Sequence, residues 1–372
     1  MSRHTPLYSA HIACGARMVD FSGWAMPLHY GSQLAEHHHV RRDAGMFDVS
    51  HMLITDVGGP GSLRLLRLLL ANDCARLQAD GQALYSCILN EHGGVIDDVI
   101  VYRLSEMAWR VVSNAGTRAT VSAWLQAHVG DDTDLRVRDD LAIIAVQGPE
   151  ARMACIPLLP AGLRAAVSAL TAFHACWSGD YFVACSGYTG EDGLELILPA
   201  SFALELWQRL LDAGVAPAGL GARDSLRLEA GMNLYGQDMD AGTSPLEAGL
   251  AWTVAWEPEA RDFIGRATLS GQHDAGPAWQ RVGVILEGRG VLRHGMEIGD
   301  TQGHAGTLTS GGFSPSLGRA IGLARIPAGM GSDIRVSIRG RELPLRLVTP
   351  PFVRKGQSRI PGLAVLSQGT RE

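Results

Sequence analysis

Residues 62–70, SLRLLRLLL, place Leu63, Leu66 and Leu70 at helical spacing. Two β-rich runs follow, 85–89 and 99–102. They flank the turn NEHGG and predict a hairpin. Residues 109–112 add a strand, and 117–128 form a helix with Val121, Trp124, Leu125 and His128 on one side. The same alternation then repeats: strand 141–146, the turn QGP, a helix from Pro149, strands 181–185 and 194–198, and helix 202–213. Two rounds of mixed strands and helices predict α+β lobes of the ferredoxin-like, split βαβ kind. From SGQHDAGPAW (270–279) onward the pattern changes. Short strands at 282–286, 306–309, 320–324, 333–339 and 343–348 lie between glycines with no helical stripe, which predicts a small antiparallel β-barrel or sandwich. The boundaries read as 1–272 for the two lobes, 280–358 for the barrel and 359–372 for a tail.

Composition narrows the class. A chain of 372 residues has room for two or three sizeable cores, and 46% apolar with 19% charged residues is ordinary for a soluble protein. The net charge of −6 argues against a nucleic-acid partner. No apolar run approaches a membrane span, and MSRHTPLYSA has no secretory h-region, so no membrane and a cytoplasmic location are expected. The six cysteines form no CxxC pair and read as scattered, buried, reduced thiols. Lysine occurs once, at Lys355 in a polar stretch. A pyridoxal-phosphate enzyme needs a Schiff-base lysine and a P-loop needs one after its glycines, and Lys355 suits neither.

Candidate chemistry lies in four places. Asp97 and Asp98 interrupt the apolar run VIDDVIVY, where carboxylates are costly unless paired, functional or solvated at the mouth of the hairpin. The strand pleat sends them to opposite sides, so only one of them faces a given pocket. In GYTGEDGLEL, Glu195 faces away from Leu194 and Leu196, towards a cavity or towards water, and Glu191 reads as a turn residue. Arg223 stands at the start of a short helix in GLGARDSLRLEAGMNLYGQDMD (219–240), where Gly231 and Gly236 let backbone come close to something. Asn114 follows a strand in VVSNAG; Tyr85, Met52, Tyr188 and Trp252 are candidates for a ligand wall or for ordinary core. Glu36, His37, His38, His39 and His51 suggest a metal, but consecutive residues on a helix point in different directions. They read as a surface patch. Arg41, Arg42, Arg289 and Arg293 are candidates to steer an acidic partner.

These segments, with CGARMVDFSGW at 14–24, EHHHVRRDAGMFDVSHM at 36–52 and GGVIDDVIVY at 93–102, resemble in order the aminomethyltransferase family, the folate-binding T-proteins of the glycine cleavage system. The resemblance covers essentially the whole chain. It implies two α+β lobes and a C-terminal antiparallel barrel around a central folate channel. It also implies tetrahydrofolate as one-carbon acceptor, the lipoylated H-protein as donor, and no metal or pyridoxal phosphate. The family's catalytic carboxylate falls on Asp98, its pterin-pairing carboxylate on Glu195, and its folate contacts on Arg223 and Asn114. Asp98 would orient or deprotonate the attacking amine, or stabilise developing charge; Asp97 is expected to matter much less. Two other folate-binding readings share this fold. Iron–sulfur assembly relatives carry a Lys-Gly-Cys-Tyr-x-Gly-Gln-Glu run where this chain has CSGYTGEDG, and a stand-alone folate-dependent demethylase differs only in its donor. The flavin fingerprint of a sarcosine or dimethylglycine dehydrogenase is missing.

Overall fold

A computed structural model describes residues 2–366. The first sheet has five antiparallel strands in the order Ala83–Leu89, Val95–Ser105, Ala108–Ser113, Leu53–Gly58 and Asp134–Val137. The helices Ser62–Leu69 and Arg118–His128 cover one of its faces, through Leu65, Leu66, Leu69, Val121 and Leu125. The second sheet has six strands, ordered Ala175–Ser178, Tyr181–Ala184, Gly193–Pro199, Leu141–Gln147, Gly45–Asp48 and Ala216–Pro217. Its outer face packs on Ala203, Leu206, Trp207 and Leu210 of the Ala200–Asp212 helix and on Leu163 and Val167 of the Ala161–Ala169 helix. The third unit is a closed six-stranded antiparallel barrel built from residues 279–348.

The two uncovered sheet faces meet. Ile54, Tyr102 and Val112 of the first sheet pack with Phe47, Ile143, Phe182 and Ile197 of the second, and Ala222 and Leu226 close the cluster. Period-two alternation then decides where the polar residues go. Val99 and Val101 face the helices while Ile100 and Tyr102 face the other sheet, so Asp98 is on the inter-sheet side. In the facing strand Leu194, Leu196 and Leu198 turn to the helices and Ile197 turns inward, which brings Glu195 inward too. Both readings of the pleat hold.

Four expectations need correction. The lobes are not consecutive: Gly45–Asp48 pairs with Leu141–Gln147 and belongs to the second sheet. A four-residue strand buried throughout has no alternation by which to be seen. The barrel begins at Trp279, but residues 266–275 before it form a helix that was not foreseen; Leu269 is that helix's one buried residue, so no stripe marks it. Asp97 and Asp98 lie inside the hairpin ladder, opposite Ile88 and Cys87, not at its mouth. Arg223 lies within the Leu220–Glu229 helix rather than at its start, because the helix begins on a glycine. A Cβ on Gly219 would come within 2.4 Å of the Leu28 carbonyl oxygen, so this turn demands glycine. At the other end Gly231 has φ +68°, and a Cβ there would meet Pro350 at 2.5 Å.

Candidate functional site

Asp98 is the centre of a hydrogen-bonded group on the first sheet. Its Oδ2 accepts from Tyr85 Oη at 2.8 Å and its Oδ1 from Asn114 Nδ2 at 2.9 Å. Asp97, on the other side of the strand, is not remote from it. The same Asn114 Nδ2 donates to Asp97 Oδ1 at 2.7 Å, while Asn114 N and Thr117 Oγ1 donate to Asp97 Oδ2 at 3.0 and 2.7 Å. Burial, and then the charge of Asp98, pushes the Asp97 carboxyl up to about 7; burial also raises Asp98. No arginine, lysine or histidine offsets either carboxylate among the described residues.

The Tyr85 ring stacks on Trp252 with centroids 5.6 Å apart, and Trp252 stays 63% exposed. Burial, together with the charge of Asp98, raises the Tyr85 phenol well above its ordinary range, so it remains a donor. Tyr188 hydrogen-bonds the Asn233 carbonyl, and the Arg223 guanidinium lies over its ring at 4.7 Å. Burial raises the Tyr188 phenol, and the charges of Arg227, Asp98 and Arg223 all act on it. Glu195, on the second sheet, accepts from Ser186 Oγ and acts electrostatically on Arg223. Arg223 Nη1 is buried without a hydrogen-bond partner. Met52 is partly buried against the inter-sheet core. The structure thus brings Asp98, Asn114, Tyr85 and Trp252 into one group, and Glu195, Arg223 and Tyr188 into a second beside it.

The histidines and Arg41 are not surface residues as a set. His37 is fully buried, with Nδ1 2.7 Å from Ser225 Oγ and Nε2 3.2 Å from Glu229 Oε2. His51 is buried too, and burial lowers it to about 4, leaving it neutral. No group of three or more metal-binding side chains is poised for an ion among the described residues. Arg41 is buried and pairs with Glu191 and Glu229 at 2.7 and 2.8 Å, so it is not free to steer a partner. Glu191 is an ion-pair member rather than a plain turn residue. Arg42, Arg289 and Arg293 are exposed.

Sequence reasoning missed three contributors. Thr117 holds Asp97; its place three residues after Asn114 was the available signal. Arg281, from the barrel, bonds the Asn233 side chain and the Gly231 carbonyl, the latter at 2.8 Å, and no pattern announced it. Arg227 is buried and ties Asp238 and Ser310, both at 2.9 Å. The larger surface cavity, about 670 Å³ between Leu63–Leu68 and Ala260–Asp262, is on the outside of the first lobe, away from these carboxylates. A smaller one of about 270 Å³, bordered by Asp238, Thr243, His294 and Arg325, separates the 237–243 loop from the barrel.

The chain is similar to known proteins over most of its length. The GCVT N-terminal domain profile matches residues 7–258, and that of the glycine cleavage T-protein C-terminal barrel domain matches residues 280–354. The aminomethyltransferase of Nitrosococcus oceani is 54% identical over 362 residues, 97% of either chain. Among solved structures, the glycine cleavage system aminomethyltransferase T of Bartonella henselae is 36% identical with a TM-score of 0.90, over 95% of this chain and 99% of that one.

Proposed function

The chain belongs to the glycine cleavage T-protein family, and from that premise we propose that it passes the methylene carbon of an aminomethyl group to tetrahydrofolate. Its class, an aminomethyltransferase of the glycine cleavage system, follows from the match over both domains. The donor in this reading is the thioaminal on the lipoyl arm of the H-protein. The methylene carbon exchanges its bonds to sulfur and nitrogen for bonds to folate N5 and N10. The two folate N–H protons leave with the thiol and with ammonia, and no electrons are exchanged. The products are 5,10-methylenetetrahydrofolate, reduced lipoyl protein and ammonia.

One observation carries this reading: the Asp97–Asp98 pair, fully buried at Asp97 and half-buried at Asp98, has no cation of its own among the described residues in a chain rich in arginine. An unpaired buried carboxylate is expensive, so the site is built for a positive group. An aminomethyl nitrogen supplies one, and so does the iminium-like carbon it becomes. Asp98 orients the amine and stabilises that charge, or takes its proton, while Tyr85 and Asn114 hold the carboxylate in place. Because the methylene carbon is already electrophilic, most of the acceleration comes from holding the two reactants together.

The second group fits a folate. Glu195 is an acceptor for the pterin N3–H and 2-amino group, Tyr188, Met52 and Trp252 are candidate walls, and Arg223 has an unspent buried donor for a folate oxygen. The test is ammonia release from aminomethylated H-protein with tetrahydrofolate, set against sarcosine and dimethylglycine as donors. Asp98→Asn should abolish most turnover with folding and folate binding retained, and chelators should have no effect. Turnover with the methyl donors alone, or a silent Asp98→Asn, would overturn the reading.

A further inference from the structure

The Asn114 amide has two N–H bonds, and both are spent: one on Asp97 Oδ1 at 2.7 Å, the other on Asp98 Oδ1 at 2.9 Å. Turning the amide over would put its carbonyl oxygen against two carboxylates, so its orientation is determined by them. Asp97 also anchors the Asn114 backbone N–H at 3.0 Å and is itself held by Thr117 Oγ1 at 2.7 Å. Asp97 is fully buried between these donors.

We propose that Asp97 is a positioning residue for the transfer reaction. It clamps Asn114 as a bridge between the two carboxylates, and so holds in place the amide that donates to Asp98. This rests on the role given to Asp98 above. The other titratable groups facing the pair are Tyr85 and Cys87 from the neighbouring strand, together with Tyr188 and Tyr235. Burial raises all four, so all are neutral around pH 7 and none adds a charge to the pair. Two carboxylates coupled this closely take up protons as one unit.

The test uses the full chain with its carboxyl carbons followed by ¹³C NMR, and the pH dependence of kcat. In the wild type the Asp97 and Asp98 signals should share two titration steps, the upper one well above the ordinary carboxylate range. In Asp97→Asn the Asp98 signal should titrate in one step, and the acid limb of kcat should move up by roughly half a pH unit or more as the Asn114 donor to Asp98 loosens. KM for tetrahydrofolate should change by less than about threefold. A purely structural Asp97 would lower kcat or stability without moving the limb. Independent single-step titration in the wild type, or an unmoved limb in the variant, overturns the proposal. The wild-type titration needs neither substrate nor variant. It therefore decides the matter even if Asp97→Asn does not fold, or if the chain releases no ammonia and the functional reading fails.

Discussion

The Arg223 guanidinium lies 4.7 Å above the Tyr188 ring, and its Nη1 is buried with no partner among the described residues. The stack holds the side chain flat and leaves a donor unspent, and burial lowers the proton affinity of the group. Such a donor is available to a ligand or to a water.

Arg223→Lys tests this. A lysine keeps the charge but loses the planar stack and the fork of donors, so it should not rescue binding. Tetrahydrofolate affinity measured by calorimetry should fall by roughly 2 kcal/mol or more in Arg223→Lys and Arg223→Ala alike. Unchanged affinity in both would show that Nη1 serves the fold alone.

Glu195→Gln separates pterin recognition from chemistry. The substitution keeps one acceptor but sets an NH₂ against a ring donor, and losing a buried charged contact should cost roughly 2–5 kcal/mol of folate affinity. Added tetrahydrofolate should raise the melting temperature of the wild type clearly and of the variant hardly at all, since a ligand that binds only the native state stabilises it. Equal shifts would make Glu195 an ordinary strand charge.

Tyr85→Phe probes the other carboxylate contact. The Tyr85 hydroxyl donates to Asp98 Oδ2 at 2.8 Å and so favours the charged form. Its removal should let Asp98 keep its proton to higher pH, moving the acid limb of kcat up by roughly half a pH unit or more. Asp97→Asn, which loosens the Asn114 donor, should move that limb the same way, so the two variants read two donors to one carboxylate. A downward or absent shift in Tyr85→Phe would show that this hydrogen bond does not control Asp98.

Much of the fold was legible because alternation reports which face of a strand is buried. The pleat alone brought Asp98 and Glu195 to the inter-sheet side. It reports faces but not partners. Gly45–Asp48 finds its neighbour about a hundred residues on, and Arg41 meets Glu229 across a separation of 188. Neither pairing leaves a local trace. Arg281 reaches Asn233 from the barrel for the same reason unseen. Asp97 shows the limit most clearly. The pleat correctly turned it away, yet an amide at the end of the adjacent strand reaches both carboxylates.

Glu229 ties the helix carrying Arg223 to the barrel. Its carboxylate accepts from Arg41 at 2.8 Å and from Ser314 and Ser316 hydroxyls at 2.6 and 2.8 Å, and faces His37 at 3.2 Å. Burial alone would raise this carboxyl, but His37, then Arg41 and Ser314, outweigh it and hold it below the ordinary carboxylate range. A carboxylate whose proton affinity falls on folding stabilises the native state above its unfolded value, near pH 4, and loses that contribution as pH drops further. Glu229→Gln keeps the shape but leaves Arg41 paired with Glu191 alone. Breaking a buried pair of this kind costs about 3 kcal/mol or more, which should appear in urea unfolding at pH 7. The gap between wild type and variant should narrow as the pH is lowered below about 4, because the unfolded chain protonates Glu229 there while the folded carboxylate stays charged to lower pH. A gap independent of pH down to acid unfolding would mean that Glu229 stabilises by packing and not by its charge.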